Sequence, residues 1–206
     1  TSCQTSKSRS VPRKCVLPRS FRFTSFAPLL GIGLALASRV ASADIISTPP
    51  GFVVEDSAPG AAFDTPTAIA FMPGGRMLVA EKRGRVYAVR HGVKYPIPMW
   101  EGENEVLNNI DRGLLDVAVD PNYAVNHYIY LLYTVDPLGN DDNTVGFGRL
   151  TRYQVSSRDS NVVDPSTRTI LMGTSWNDAP LSGSPSHTIG SLRWGRDGSL
   201  LLTHGD

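Results

Sequence analysis

Ser191-Leu192-Arg193-Trp194, the turn Gly195-Arg196-Asp197-Gly198, and Ser199-Leu200-Leu201-Leu202-Thr203 together form a unit that decides the fold. A short apolar run, a turn built of Gly and Asp, and a second apolar run read as a hairpin. The same unit stands earlier as Thr67-Ala68-Ile69-Ala70-Phe71, Pro73-Gly74-Gly75 and Arg76 to Glu81. It stands again as Gly113 to Val119, Asp120-Pro121-Asn122 and His127 to Val135. Aligning Phe71, Val119 and Trp194 gives spacings of 48 and 75 residues, the longer one absorbing loops near 136–148 and 173–186. Further strand-length runs follow the first two units, at Arg85 to Arg90, at Arg149 to Val155 and at Arg168 to Met172, and a short strand is expected at Phe52 to Glu55. No helical periodicity exceeds two turns. Four-stranded units that cannot bury both faces alone, repeated at such spacing, predict β-propeller blades. The expectation is an all-β fold with about two and a half blades of four-stranded antiparallel sheet, the N-terminal part of a longer propeller. A complete β-sandwich is disfavoured, because the repeat lies in the sequence as well as in the strand count.

The first 43 residues have a different character. They carry Lys7, Arg9, Arg13, Lys14, Arg19, Arg22 and Arg39 with no acidic residue, then an apolar run from Phe26 to Ala37 and the small-residue exit Ala41-Ser42-Ala43. That order is the pattern of a secretory signal peptide. The apolar run is shorter than the roughly 20 residues a membrane span requires. Residues 1–43 are therefore expected to be a cleaved basic leader and 44–206 the propeller segment, with a periplasmic or secreted destination and no stable membrane span after cleavage. Of 20 basic and 19 acidic residues overall, the leader takes seven basic ones, which leaves 44–206 at a net charge of −6. Such a balance has no footprint for nucleic acid. Both cysteines, Cys3 and Cys15, lie in the leader, so the remainder can form neither a disulfide nor a thiolate metal site.

Four histidines are available for chemistry. His91 reads as a solvated turn residue, His127 as a packing or turn-capping residue, and His204 as the end of an apolar strand. His187 follows the Gly/Ser/Pro loop 173–186 and enters an innermost strand, where loops converge on the axis of a propeller. The hairpin returns Asp206 to its neighbourhood, the arrangement of a base and its orienting carboxylate. Asn108-Asn109-Ile110-Asp111-Arg112-Gly113 holds the same blade position one unit earlier, so Asp111 and Arg112 are candidates for the same mouth; a loop-fixing Asp-Arg pair is the alternative. The loop around Asp136, Asn140, Asp141 and Asp142 lacks the residue order of a calcium loop.

Several segments, taken in order, resemble the glucose/sorbosone dehydrogenase family of soluble quinoprotein sugar dehydrogenases. They include Pro66-Thr67-Ala68-Ile69-Ala70-Phe71, Asp111-Arg112-Gly113-Leu114-Leu115, Asp120-Pro121-Asn122-Tyr123, Arg149-Leu150-Thr151-Arg152-Tyr153, His187-Thr188-Ile189-Gly190-Ser191-Leu192-Arg193 and Gly205-Asp206. The resemblance implies a six-bladed propeller that binds pyrroloquinoline quinone (PQQ) and calcium over its axis, acts on a sugar and passes electrons to an acceptor. By the same resemblance, His187 matches the general base, Asp206 the carboxylate hydrogen-bonded to it, and Asp111 a residue of the substrate and cofactor pocket, with Arg112 beside it. Most of the family's calcium and quinone ligands fall beyond the position matching Asp206. The chain alone is therefore expected to be inactive. A non-catalytic propeller that binds carbohydrate or protein is the rival reading.

Overall fold

In the computed structural model of the chain, residues 48–139 and 145–205 are described. The first blade runs β1 (Pro66–Met72), β2 (Arg76–Glu81) and β3 (Arg85–Arg90), and each strand pairs antiparallel with the next. Its outer edge is one strand broken in two: β4 (Val93–Lys94) and β5 (Trp100–Glu101) both pair with β3. The break has a local cause, since Pro96 and Pro98 carry no N–H for the ladder.

The second blade repeats the plan. It comprises β6 (Leu114–Val119), a one-turn helix α1 (Tyr123–Asn126), β7 (Tyr128–Val135), β8 (Gly146–Val155) and β9 (Val163–Met172). A 3-10 turn (Trp176–Asp178) then leads to β10 (Leu181–Ser182), which pairs with the start of β8 just as β5 pairs with the start of β3. The third unit is the hairpin β11 (Ile189–Trp194) and β12 (Leu200–His204).

β7 explains how the blades cohere. Its sequence, Tyr-Ile-Tyr-Leu-Leu-Tyr-Thr-Val, is continuously apolar instead of alternating, and seven of its eight residues are buried. Ile129, Leu131, Tyr133 and Val135 face the first blade and join Leu78, Val86, Met99 and Trp100. Tyr130 and Leu132 face the other way and pack with Leu150, Ile189 and Leu192 of the third unit. A strand buried on both faces has no solvent side to keep polar.

Each innermost strand carries one extra residue near its start relative to its partner, at Pro66/Ala68, Leu114/Asp116 and Ile189/Leu192. Such bulges twist a strand and re-aim the side chains at its entry. The expected strand at Phe52 to Glu55 is not formed: these residues are exposed, and no strand among the described residues pairs with them. The leader, including its signal-peptide reading, lies outside the described residues.

Candidate functional site

Three backbone hydrogen bonds recur at the entry of the three innermost strands. Lys82 N–H donates to Thr65 O (3.0 Å), Thr134 N–H to Gly113 O (3.0 Å) and Gly205 N–H to Thr188 O (2.7 Å). The recurrence places Asp64, Arg112 and His187 at one blade position, each preceding the residue whose carbonyl accepts. The entries of β1, β6 and β11 thus form one end of the molecule, here called the mouth.

His187 is exposed there, with φ of +56°, a left-handed backbone uncommon for a residue with a Cβ. Its loop is fastened at three points by the neighbouring Asp111-Arg112 segment. Asp111 N–H donates to Pro185 O at 3.1 Å. Arg112 Nε donates to Ser182 Oγ at 2.8 Å, and Nη2 donates to Ser182 O at 2.7 Å. The Ser182 hydroxyl in turn donates to Ser184 O at 3.2 Å. Arg112 is fully buried. Its guanidinium donors are spent on the Ser182 hydroxyl and carbonyl, so that it fixes the loop, the role the alternative sequence reading gives to this segment. Asp111 is exposed at the lip.

The hairpin brings its far end to His187. Gly205 lies so close that a Cβ there would stand 2.6 Å from the His187 carbonyl oxygen, so only glycine fits. Asp206, the expected partner of His187, lies outside the described residues. His204 Nε2 lies 3.0 Å from Leu181 O and, facing a carbonyl, acts as a donor that ties β12 to β10.

Asp116 supplies a second fastening. The bulge turns its buried carboxylate toward the third unit, where Oδ2 accepts from Leu192 N–H (2.7 Å) and from Arg193 Nη1 (2.9 Å). Oδ1 accepts from Val117 N–H at 2.8 Å. β6, which follows Asp111 and Arg112, is thereby fixed to β11, which follows His187. Sequence reasoning gave no role to Lys82, whose ammonium donates to Ile110 O at the lip beside Asp111. Its place at the mouth end of a second strand was the available signal.

The other expected polar residues sit elsewhere. His91 occupies a turn with φ of +50°. His127 caps α1, with φ of +57°, its ring edge-on to Tyr123 at 5.5 Å. A 330 Å³ cavity lined by Tyr123, His127, Gln154, Ser156 and Asp164 lies at the opposite end of blade two, formed by the turns that follow β6 and β8. Asp136 closes a tight turn by accepting from Leu138 and Gly139 N–H, while Asn140, Asp141 and Asp142 are outside the described residues. Among the described residues no group of three or more His, Cys, Asp or Glu is arranged to hold a metal, and no helix is long and apolar enough to cross a membrane.

The family model for Glucose / Sorbosone dehydrogenase matches residues 63–206. An uncharacterised protein of Synechocystis is 30% identical over 76 residues, 34% of this chain and 18% of that protein. The mouse Hedgehog-interacting protein is 29% identical over 140 residues, 64% of this chain and 19% of that protein. Among solved structures, an oxidoreductase of Thermus thermophilus described as a glucose dehydrogenase aligns with a TM-score of 0.53 at 26% identity, covering 73% of this chain and 39% of that one. The PQQ-bound aldose sugar dehydrogenase of Streptomyces coelicolor aligns with a TM-score of 0.50 at 21% identity, covering 72% and 40%. At that identity the second likeness speaks for the fold alone. The chain spans about a fifth of the length of these curated relatives and about two-fifths of these solved structures.

Proposed function

This chain belongs to the glucose/sorbosone dehydrogenase family, and on that premise we propose that it is the base-carrying part of an exported quinoprotein dehydrogenase that oxidises an aldose-type sugar. The observation that carries the reading is the fastening of His187. An exposed imidazole in left-handed backbone, its loop held at Ser182 and Pro185 by Arg112 and Asp111 and its carbonyl packed on Gly205, is a pre-positioned proton acceptor.

In this reading the neutral imidazole of His187 takes the proton from the anomeric hydroxyl of the sugar. Asp206, next in chain to Gly205, orients the ring and stabilises the imidazolium. Asp111, exposed at the same lip, accepts a hydrogen bond from a second sugar hydroxyl and sets the ring's orientation. Arg112 and Asp116 act one layer down, holding the two strand entries in register. The lip fits an anionic quinone in one respect, since Lys82 places an ammonium on the Ile110 carbonyl there. PQQ, when bound, supplies the hydride acceptor that no side chain can provide. Calcium, an external electron acceptor and export to the periplasm or medium belong to the same proposal, the calcium ligands of the family falling mostly at positions after the one matching Asp206. The acid-free, basic, then apolar composition of residues 1–43 supports export.

The test is dye-linked aldose oxidation by the full-length protein supplied with PQQ and calcium. His187→Ala is expected to abolish turnover while the quinone absorbance stays with the protein. Turnover that survives the substitution removes His187 from the mechanism. A second reading, a propeller that binds a ligand without turnover, is favoured by the 29% identity to a protein named for an interaction with Hedgehog. It predicts that the wild-type protein acquires no quinone absorbance at all.

A further inference from the structure

Outside the His187 lip, an aromatic stands exposed on a turn fixed by side-chain hydrogen bonds. Trp176 is 40% accessible, yet it sits on the 3-10 turn between β9 and β10 and packs against the buried ring of Phe147 with centroids 4.9 Å apart. The turn is closed by a capping box: Asn177 N–H donates to Ser175 Oγ (3.2 Å), and Ser175 N–H donates to Asp178 Oδ1 (2.8 Å). Asp178 Oδ2 also accepts from Thr174 N–H (3.0 Å) and Thr174 Oγ (2.8 Å). Both flanks are tied to the sheet, by Gly148 N–H donating to Pro180 O (2.8 Å) and Arg149 Nε donating to Gly173 O (2.6 Å).

The exposure of Trp176 does not come from an uncovered blade face. Phe147 belongs to the core between the first and second blades, both of which are present, and not to the layer that faces the third unit. The turn also lies at the mouth end. β10, five residues before His187, pairs with Gly146 and Phe147, and Gly148 packs on Ile189. Beside the turn, Arg149 donates to Glu105, which lines an open 380 Å³ cavity together with Glu101, Glu103 and Asn104.

We infer that Trp176 is the stacking platform of an outer carbohydrate subsite on the rim of the mouth, with the Glu105 carboxylate beside it, held by Arg149, meeting sugar hydroxyls. The apolar C–H face of a pyranose fits an aromatic ring, while its hydroxyl edge requires charged or amide partners. A platform frozen before binding costs no ordering entropy when the ligand arrives. The ligand class is a neutral oligosaccharide whose terminal ring enters at His187 and whose next rings run outward over Trp176. The inference deepens the sugar-dehydrogenase reading and rests on it for the inner ring, but the binding itself requires no turnover.

Tryptophan emission tests it. The full-length protein and its Trp176→Phe variant are titrated with glucose, maltotriose and cellotriose, and the difference between the two proteins isolates Trp176. Saturable quenching of that difference by a trisaccharide, and none by glucose, is expected. Calorimetric affinity for the trisaccharide should fall about tenfold in Trp176→Ala, the loss of one aromatic stack. It should fall less in Trp176→Phe, which keeps a ring on Phe147. A difference signal unmoved by either trisaccharide up to its solubility limit overturns the subsite, whatever the enzyme's activity. Quenching without any sugar oxidation keeps the subsite and removes the dehydrogenase reading instead.

Discussion

Asp116 shows how one residue couples strands that the sequence separates by more than seventy positions. Its carboxylate is buried, and it is met by the Leu192 N–H, the Val117 N–H and an Arg193 nitrogen whose side chain is itself largely exposed. The exposed partner adds little, because water screens it. The backbone donors matter more, since Leu192 N–H meets the carboxylate in the buried interior, where water cannot replace it. Asp116→Ala is expected to lower stability by about 2–3 kcal/mol through the orphaned donor, read as a lower urea midpoint. Asp116→Asn, which keeps an acceptor oxygen, should cost less. Equal losses in the two variants would mean that the carboxylate's charge, not its acceptor geometry, holds β11. The sequence displayed an acid inside an inner strand but not its partner. Arg112 is the converse case: the sequence displays it next to Asp111, and only the tertiary contact with Ser182 reveals that it is buried against the loop.

At the scale of elements, the long strands were legible, except that β9 begins at Val163, five residues before its predicted start, and the two-residue strands were not. β2 and β3 run where their apolar runs predict, and β6, β7, β8, β11 and β12 lie within three residues of prediction at each end. β4, β5 and β10 are two residues each and carry no period; they exist because β3 and β8 offer an unpaired edge. The turn holding Trp176 is a similar product of local hydrogen bonds, and it carries a pH dependence. Backbone N–H groups of Ser175 and Thr174 hold the Asp178 carboxyl down to about 2, against about 3.9 for a free aspartate. A depressed value in the folded state gives stabilisation that is complete above the free value and lost as pH falls through the folded one. Trp176 emission should therefore shift to the red between about pH 4 and pH 2, and Asp178→Asn should remove that step while leaving the spectrum near neutrality shifted from the start. The same turn depends on Gly173, whose φ is +81° and whose added Cβ would meet Gly148 O at 2.3 Å. Gly173→Ala is expected to cost at least about 2 kcal/mol by chemical denaturation, because neither the backbone region nor the space admits a side chain.

For the molecule as a whole, β7 is the central layer, buried against the first blade on one face and the third unit on the other. The amides of Leu131 to Thr134 should accordingly be the slowest to exchange with deuterium, and those of β1 and β12 faster, since Ile69, Phe71 and Leu201 lie exposed on these outer units. Comparable rates across all three units would mean that they unfold as one body. The sequence by itself determined the class of the fold. Apolar runs bounded by Gly, Pro and Asp can be satisfied only as strands, and a repeat of such runs needs neighbours to bury it. It also determined which histidine stands apart, because His187 alone joins a long loop to an innermost strand. What only the tertiary structure decided is how that histidine is held. Ser182, Pro185, Gly205 and Asp116 are remote in sequence from the residues they meet, and hydrogen bonds between segments leave no period or motif for a reading of the chain to detect.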